Sequence, residues 1–124
     1  MNSSYKFVNS DGIYFVTITS VDWVDVFTRN IYRDILLDSF RFYQKHQGLQ
    51  IYAWVIMANH FHTICSFSNN NAGMVLKNIK NFTAIKLIDA IINNHKESRK
   101  QWLLDIFEKH GKENKSNLIS SNGK

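Results

Sequence analysis

Two histidines, His60 and His62, stand two residues apart in a stretch of strand-forming residues over positions 52–66. Aromatic and β-branched residues flank Ala58-Asn59, and asparagine tolerates turn conformations, so this stretch predicts a β-hairpin. Residues i and i+2 of a strand point to the same face, so we expect both imidazoles to project together while Phe61 points into the core. Two convergent imidazoles can supply part of a metal site, with a third ligand from elsewhere or from a substrate phosphate. The alternative is a partly exposed pair that binds nothing.

The composition is that of one globular domain with an excess of positive charge. The chain has 124 residues, 44% of them hydrophobic, and a formal net charge of +5. This charge favours an anionic partner such as nucleic acid, although many small proteins are mildly basic. No stretch approaches the roughly 20 apolar residues that cross a bilayer, and no secretory signal is visible. Cys65 alone suggests a buried thiol in a reducing compartment, so we predict a cytoplasmic protein without membrane contact.

Hydrophobic periodicity predicts the element order β-α-β-β-α-α. The predicted elements are strand 13–19, helix 30–47, strands 49–57 and 60–67, and helices 72–94 and 97–110. This order is most of a ferredoxin-like β-α-β-β-α-β unit, an α+β sheet with helices on one face, and its final strand is missing. We expect one domain over residues 1–111, with 1–10 only partly ordered, and a disordered polar tail over 112–124.

Several local signals refine these elements. The first strand is apolar almost without interruption, so we expect both of its faces to be covered. Asn30 is predicted to cap the first helix and Gly48 to end it. The loop before that helix carries Trp23 and Phe27, which could stack on bases or cover an edge of the core. The predicted buried side of the last helix consists of Trp102, Leu103, Ile106 and Phe107.

The hairpin also carries a recognisable signature. Its residues Tyr52-x-x-Val55-Ile56-Met57-Ala58-Asn59-His60-Phe61-His62 resemble a motif of the HUH single-strand endonuclease superfamily. The most similar pattern is that of the insertion-sequence and REP-associated tyrosine transposases, which runs Tyr-x-x-Met-Pro-Asn-His-hydrophobic-His. Residues 14–19, the loop with Trp23 and Phe27, and residues 80–86 and 97–104 are also similar to this family. The resemblance covers roughly residues 13–111.

The resemblance implies a metal-dependent DNA transposase activity. His60 and His62 would bind a divalent cation, Mg²⁺ or Mn²⁺, that polarises a phosphate of single-stranded or hairpin DNA. A tyrosine on a later helix would attack, and the phosphotyrosine link would preserve the energy needed for rejoining the strand. By the same resemblance, a polar residue one helical turn after that tyrosine would complete the metal shell. Asn59 is expected to support the turn rather than to bind metal.

The chain departs from the family pattern at the nucleophile. Its tyrosines are Tyr5, Tyr14, Tyr32, Tyr43 and Tyr52, and none follows His62. We therefore predict that the nucleophile is absent and that the chain corresponds to the N-terminal part of a transposase, truncated at its C-terminus. Tyr43 could be imagined as a substitute, but its place on the apolar stripe of the first helix indicates a core residue. Ala58 in place of the usual proline is expected to loosen the turn.

Polar residues of the long helix form a second candidate site. These are Lys77, Lys80, Asn81 and Lys86, which we expect to lie largely off its apolar stripe. Lysines on such a face would contact DNA phosphates without reading sequence. The alternative is an ordinary solvated helix face.

Three functional hypotheses follow from the sequence. The first is a transposase-family domain that binds single-stranded DNA and a divalent cation but lacks the nucleophile. The second is a non-catalytic module that binds DNA or a parent transposase. The third is a fragment that does not fold stably by itself and whose exposed sheet edge leads to homodimers or aggregates.

Overall fold

The computed structural model describes residues 2–7, 12–20, 22, 24–68, 72–111 and 120–121. The strands are β1 (Asn2–Phe7), β2 (Ile13–Thr19), β3 (Leu49–Ile56), β4 (His60–Phe67) and β5 (Ser120–Ser121). The helices are α1 (Asn30–His46), α2 (Ala72–Asn93) and α3 (Lys100–Gly111), and a 3₁₀ turn (Val26–Thr28) precedes α1. No helix in these described ranges is long and apolar enough to cross a membrane.

The strands form one sheet in the order β3-β4-β2-β1-β5. Neighbouring strands from β3 to β1 are antiparallel, and only β5 pairs in parallel, with β1. The helices α1 and α2 pack together and supply most of the core that covers one face of this sheet. The chain is therefore an α+β protein of a type compatible with the ferredoxin-like arrangement, and the predicted fold class is confirmed.

The N-terminal strand β1 was not predicted, since residues 1–10 were expected to be only partly ordered and only 2–7 of them are described. It pairs with β2 along its whole length, from Asn2 opposite Thr19 to Phe7 opposite Tyr14. It thereby extends the sheet on the side of β2 away from β4. The backbone hydrogen bonds of a sheet edge do not require an apolar pattern, which is why the polar composition misled the prediction. Most of the predicted disordered tail lies outside the described residues, but Ser120 and Ser121 form β5.

The two faces of the sheet differ sharply. Val16 and Phe61 point toward the helices and are fully buried. On the other face, Phe15 is 40% exposed and Ile64 is 37% exposed. The expectation that both faces of β2 are covered is therefore wrong for the part of the chain that the structure describes. The unbroken apolar run arose because β2 carries apolar side chains on both faces, although the helices cover only one.

Helix α1 buries its predicted apolar stripe. Of the two predicted end residues, Gly48 is confirmed and Asn30 is not. The buried residues of its core-facing side are Tyr32, Leu36, Ser39, Phe40 and Tyr43. Gly48 has φ of +74°, so the predicted C-terminal glycine is confirmed. Asn30 does not cap the helix, because the preceding Arg29 has extended backbone dihedrals and occupies the cap position without a side-chain cap bond.

Helices α2 and α3 bury only part of their apolar surface. Val75, Ile79 and Leu87 are buried, but Ile85 is about half exposed. In α3, Leu103 and Phe107 are buried while Trp102 is 50% exposed, so its predicted burial is wrong. Each helix has a single core-facing side, and apolar residues beyond that side stay in contact with solvent.

Candidate metal site on the β3–β4 hairpin

The turn between β3 and β4 presents His60. Met57 N donates to His60 O at 2.7 Å, which leaves Ala58 and Asn59 as the central residues. Neither has a positive φ, because Asp22 is the only non-glycine residue with one in the described chain. Two-residue hairpins favour turns with positive φ, so this turn lacks the usual intrinsic support.

The loop between β2 and α1 holds the turn instead. Ser20 N donates to Asn59 O at 2.8 Å, and Phe27 N donates to Ala58 O at 2.9 Å. Phe27 is almost fully buried, which favours its predicted role at the edge of the core over an exposed base-stacking role. Trp23 lies outside the described residues. The geometry of the hairpin turn therefore depends on a separate segment of the chain.

The two histidines lie together on the open face of the sheet, as predicted. The ring centroids of His60 and His62 are 4.7 Å apart, with 75° between the ring planes. Phe61 points the other way, is fully buried and packs 4.8 Å from Phe40 between centroids. The strand alternation that predicted this orientation is thus confirmed.

Each imidazole uses its Nδ1 atom for a hydrogen bond. His60 Nδ1 lies 2.7 Å from Asn59 Oδ1, and His62 Nδ1 lies 3.0 Å from Thr17 Oγ1. An amide oxygen can only accept, so His60 carries its proton on Nδ1 and its Nε2 offers a lone pair. The Thr17 hydroxyl can accept in the same way from His62. Metal-binding histidines usually donate one ring nitrogen to an oxygen and bind the ion with the other.

The surroundings of His62 favour the neutral imidazole that binds metal. Burial lowers its pKa below the ordinary value, and the proximity of a second imidazole, His60, lowers it further. The Phe15 ring stacks on the His62 ring with 5.5 Å between centroids and 11° between planes. Such stacking restricts the rotation of the imidazole. The lowered pKa favours the unprotonated ring, and the stacking favours one orientation of it.

The fit to a divalent cation can be tested on this geometry. The ring centroids are 4.7 Å apart, so the two imidazoles are close enough to contribute to one site. Within the described residues, no group of three or more His, Cys, Asp or Glu side chains could hold a metal ion. The two histidines fit as a partial ligand set, and further ligands must come from solvent or from a bound phosphate.

The polar residues predicted on α2 do not share one face. Lys80 is only 4% exposed, so its assignment to a solvated, DNA-contacting face is wrong. Lys77 and Lys86 are exposed, but nine residues of helix place them about 180° apart. Lys86 lies over the Phe82 ring at 5.4 Å from its centroid. The helix is apolar around most of its circumference, so few of its residues are fully solvated.

Asn81 has a different place from that predicted. It is half-buried, and its Oδ1 atom is buried with no hydrogen-bond partner among the described residues. It therefore does not belong to an open polar surface.

No tyrosine with a described side chain lies beside the histidine pair. Tyr43 is buried in the core, as predicted, and burial raises its pKa. Tyr14 and Tyr32 also pack in or against the core. Tyr52 is exposed, and its hydroxyl is 3.0 Å from Ser66 Oγ. Ser66 is four residues from His62, or about 13 Å along the strand.

The sequence reading missed Thr17 and a buried carboxylate, Glu97. Thr17 pairs with His62 across the β2–β4 ladder, and only the strand register brings them together. Glu97 Oε1 accepts from Arg29 Nε at 2.9 Å and from the Tyr32 hydroxyl at 2.8 Å. No periodic pattern links Glu97 to residues this far away in the sequence.

Glu97 is ionised inside this network. Its side chain is inaccessible to solvent. Burial alone would raise its pKa, but hydrogen bonds from Arg29, the Arg99 backbone and Tyr32 outweigh burial and hold the pKa at about 2. The segment around Glu97 therefore forms a charged anchor between the α2–α3 turn and the start of α1.

Comparisons of the chain with protein-family models, curated proteins and solved structures find no match. The geometry of His60 and His62 is thus the principal support for a functional proposal, beside the resemblance of the hairpin motif.

Proposed function

We propose that this chain is a single-stranded DNA-binding domain of the HUH transposase type, in which His60 and His62 bind a divalent cation. One observation carries the proposal: two adjacent imidazoles engage oxygen atoms through Nδ1 and leave Nε2 for a shared ligand.

Different neighbouring residues orient the two histidines. Asn59 orients His60, while Thr17 and Phe15 orient His62. The bound cation would supply Lewis-acid polarisation of a DNA phosphate. Of the two ions that the resemblance implies, Mn²⁺ suits imidazole ligands better than Mg²⁺, which prefers an all-oxygen shell.

The net charge of +5 supports binding to a polyanion. Lys77 and Lys86 are the two exposed lysines of the predicted α2 set, and they would add salt-dependent affinity without sequence preference. Since they lie on opposite sides of α2, we propose that at most one of them contacts a given DNA strand. The homodimer expected from an exposed sheet edge stays a prediction.

Strand cleavage through a phosphotyrosine needs a tyrosine that this sequence does not supply after His62. We therefore propose that the described domain binds and orients the phosphate but does not form the covalent link by itself. The alternative function, a DNA-binding module that uses no metal, is favoured by the same missing tyrosine.

Fluorescence anisotropy with a labelled single-stranded oligonucleotide tests these proposals. We expect Mn²⁺ to strengthen binding by about tenfold relative to EDTA, and His60→Ala to abolish that gain. His95→Ala is the matched control, since His95 is exposed and belongs to the α2–α3 turn rather than to the hairpin. Binding that is equal in Mn²⁺ and EDTA would favour the metal-free module. A covalent adduct on a denaturing gel would contradict the proposed lack of a nucleophile.

A further inference from the structure

We propose that Glu97 is a positioning residue for His60. It acts through Arg29, Arg99 and the loop that holds the hairpin turn. This inference rests on the proposed function of the histidine pair, and it assigns part of the metal affinity to a carboxylate that does not contact the site.

The first step is the anchor at Glu97. Both carboxylate oxygens accept from Arg29, Oε1 from Nε at 2.9 Å and Oε2 from Nη2 at 3.2 Å. Arg99 N donates to Oε2 at 2.9 Å. A bidentate arginine–carboxylate pair fixes both position and orientation. Glu97 therefore fixes Arg29 and Arg99 relative to each other.

The two arginines hold both ends of the 3₁₀ turn Val26–Thr28. Arg29 directly follows this turn, and Asp25, which precedes it, forms an ion pair with Arg99 Nη1. Within the turn, the Thr28 backbone N and hydroxyl both donate to Asp25 O. Both ends of the turn are thus attached to the Glu97 anchor.

The 3₁₀ turn contacts the hairpin turn that presents His60. Phe27, inside the 3₁₀ turn, donates its backbone N–H to Ala58 O. Asn59, the next residue, accepts from His60 Nδ1 through its side chain. Because neither Ala58 nor Asn59 adopts a conformation that favours a tight hairpin by itself, the bond from Phe27 helps to hold the turn in place, beside the bond from Ser20 N to Asn59 O. Loss of the anchor should therefore reorient His60 before it unfolds the domain.

The test compares Glu97→Gln with a core variant that should lose a similar amount of folding stability. Leu103→Ala is the matched control, because Leu103 is fully buried in α3 and its hydrogen bond to Arg99 O uses the backbone, which the substitution keeps. Calorimetric titration with Mn²⁺ gives the affinity, and ¹⁵N NMR of the imidazoles gives the tautomer of each histidine. We expect Glu97→Gln to weaken Mn²⁺ binding about tenfold, with Leu103→Ala within about twofold of the parent.

The NMR measurement separates positioning from stability. In the metal-free parent, His60 should show the Nδ1–H tautomer, and Glu97→Gln should shift it toward a mixture while His62 stays unchanged. Asp25→Asn serves if Glu97→Gln does not fold, because Asp25 is exposed and its carboxylate bonds only to Arg99 among the described residues. It should weaken Mn²⁺ binding about threefold.

The outcomes are distinguishable. If the parent does not bind Mn²⁺ but the His60 tautomer responds to Glu97→Gln or Asp25→Asn, the proposed function fails and the positioning role stands. If the parent binds Mn²⁺ and the folded variants match it in affinity and tautomer, the positioning role is overturned and the proposed function stands.

Discussion

Replacement of Glu97 by glutamine should make the stability of this protein much less dependent on pH. The parent carboxylate is inaccessible to solvent and ionised, and it is paired with Arg29. A glutamine at this position has nearly the same size and stays neutral at every pH. The variant therefore imitates the parent with Glu97 protonated, and the difference in stability between them reports the ionisation of this one group.

The magnitude follows from the pKa of Glu97. Burial raises it, but the hydrogen bonds from Arg29, Arg99 and Tyr32 lower it from 4.5 to about 2 in the folded chain. At 1.36 kcal/mol for each pH unit, this corresponds to about 3 kcal/mol of folding free energy. Because the folded pKa is depressed, this stability is fully present above the unfolded pKa and is lost as the pH falls toward about 2.

Urea unfolding of both chains, followed by circular dichroism between pH 7 and pH 2, measures this difference. We expect the parent to be more stable by about 3 kcal/mol at pH 7 and by less than about 1 kcal/mol near pH 2. Tyr32→Phe is the matched control, since it removes one hydrogen bond to Glu97 but keeps the carboxylate and its arginine partner. A parent–variant difference that stays constant across this range would refute the assignment of Glu97 as a buried ionised group.

Three further predictions concern the hairpin. Phe61→Ala should lower the free energy of unfolding in urea by about 3–5 kcal/mol, because the ring is fully buried. Ile64→Ala on the open face should lower it by less than about 1 kcal/mol. Equal losses in the two variants would contradict a core on one side of the sheet. Burial raises the pKa of the Cys65 thiol to about 12. Iodoacetamide at about pH 8 should therefore modify this thiol only after unfolding. Rapid labelling of the native protein would contradict the burial of Cys65. Asn59→Ala should weaken Mn²⁺ binding about tenfold with little loss of stability, since it removes the hydrogen-bond partner of His60 Nδ1. Unchanged Mn²⁺ affinity would show that this hydrogen bond does not orient His60 for metal binding.

The hairpin was predictable because its signals are local. Alternation along residues 60–67 determines which side chains face the core, and the observed strand β4 has the predicted limits. The end of α1 at Gly48 was predictable for a similar reason, because a glycine with positive φ is a local requirement. Features that depend on a period of two or 3.6 residues, or on one backbone conformation, can be inferred without knowing the tertiary structure.

The missed features depend on long-range contacts or on the backbone. Strand β1 is held by pairing with β2, which its polar sequence does not indicate. Lys80 was placed on the surface from its charge, although the packing of α2 buries it. Glu97 and Arg29 are 68 residues apart, and only the folded arrangement of α1 and the α2–α3 turn reveals their pairing. The predicted absence of a nucleophilic tyrosine after His62 stays a prediction.

The most direct test of the proposed metal site is calorimetric titration of the purified chain with Mn²⁺. The parent should bind one ion, and His60→Ala and His62→Ala should each weaken binding at least about tenfold, since each removes one of two protein ligands. His95→Ala, an exposed histidine outside the hairpin, should bind like the parent. Equal Mn²⁺ affinity in the parent, His60→Ala and His62→Ala chains would contradict the assignment of this pair as a metal site.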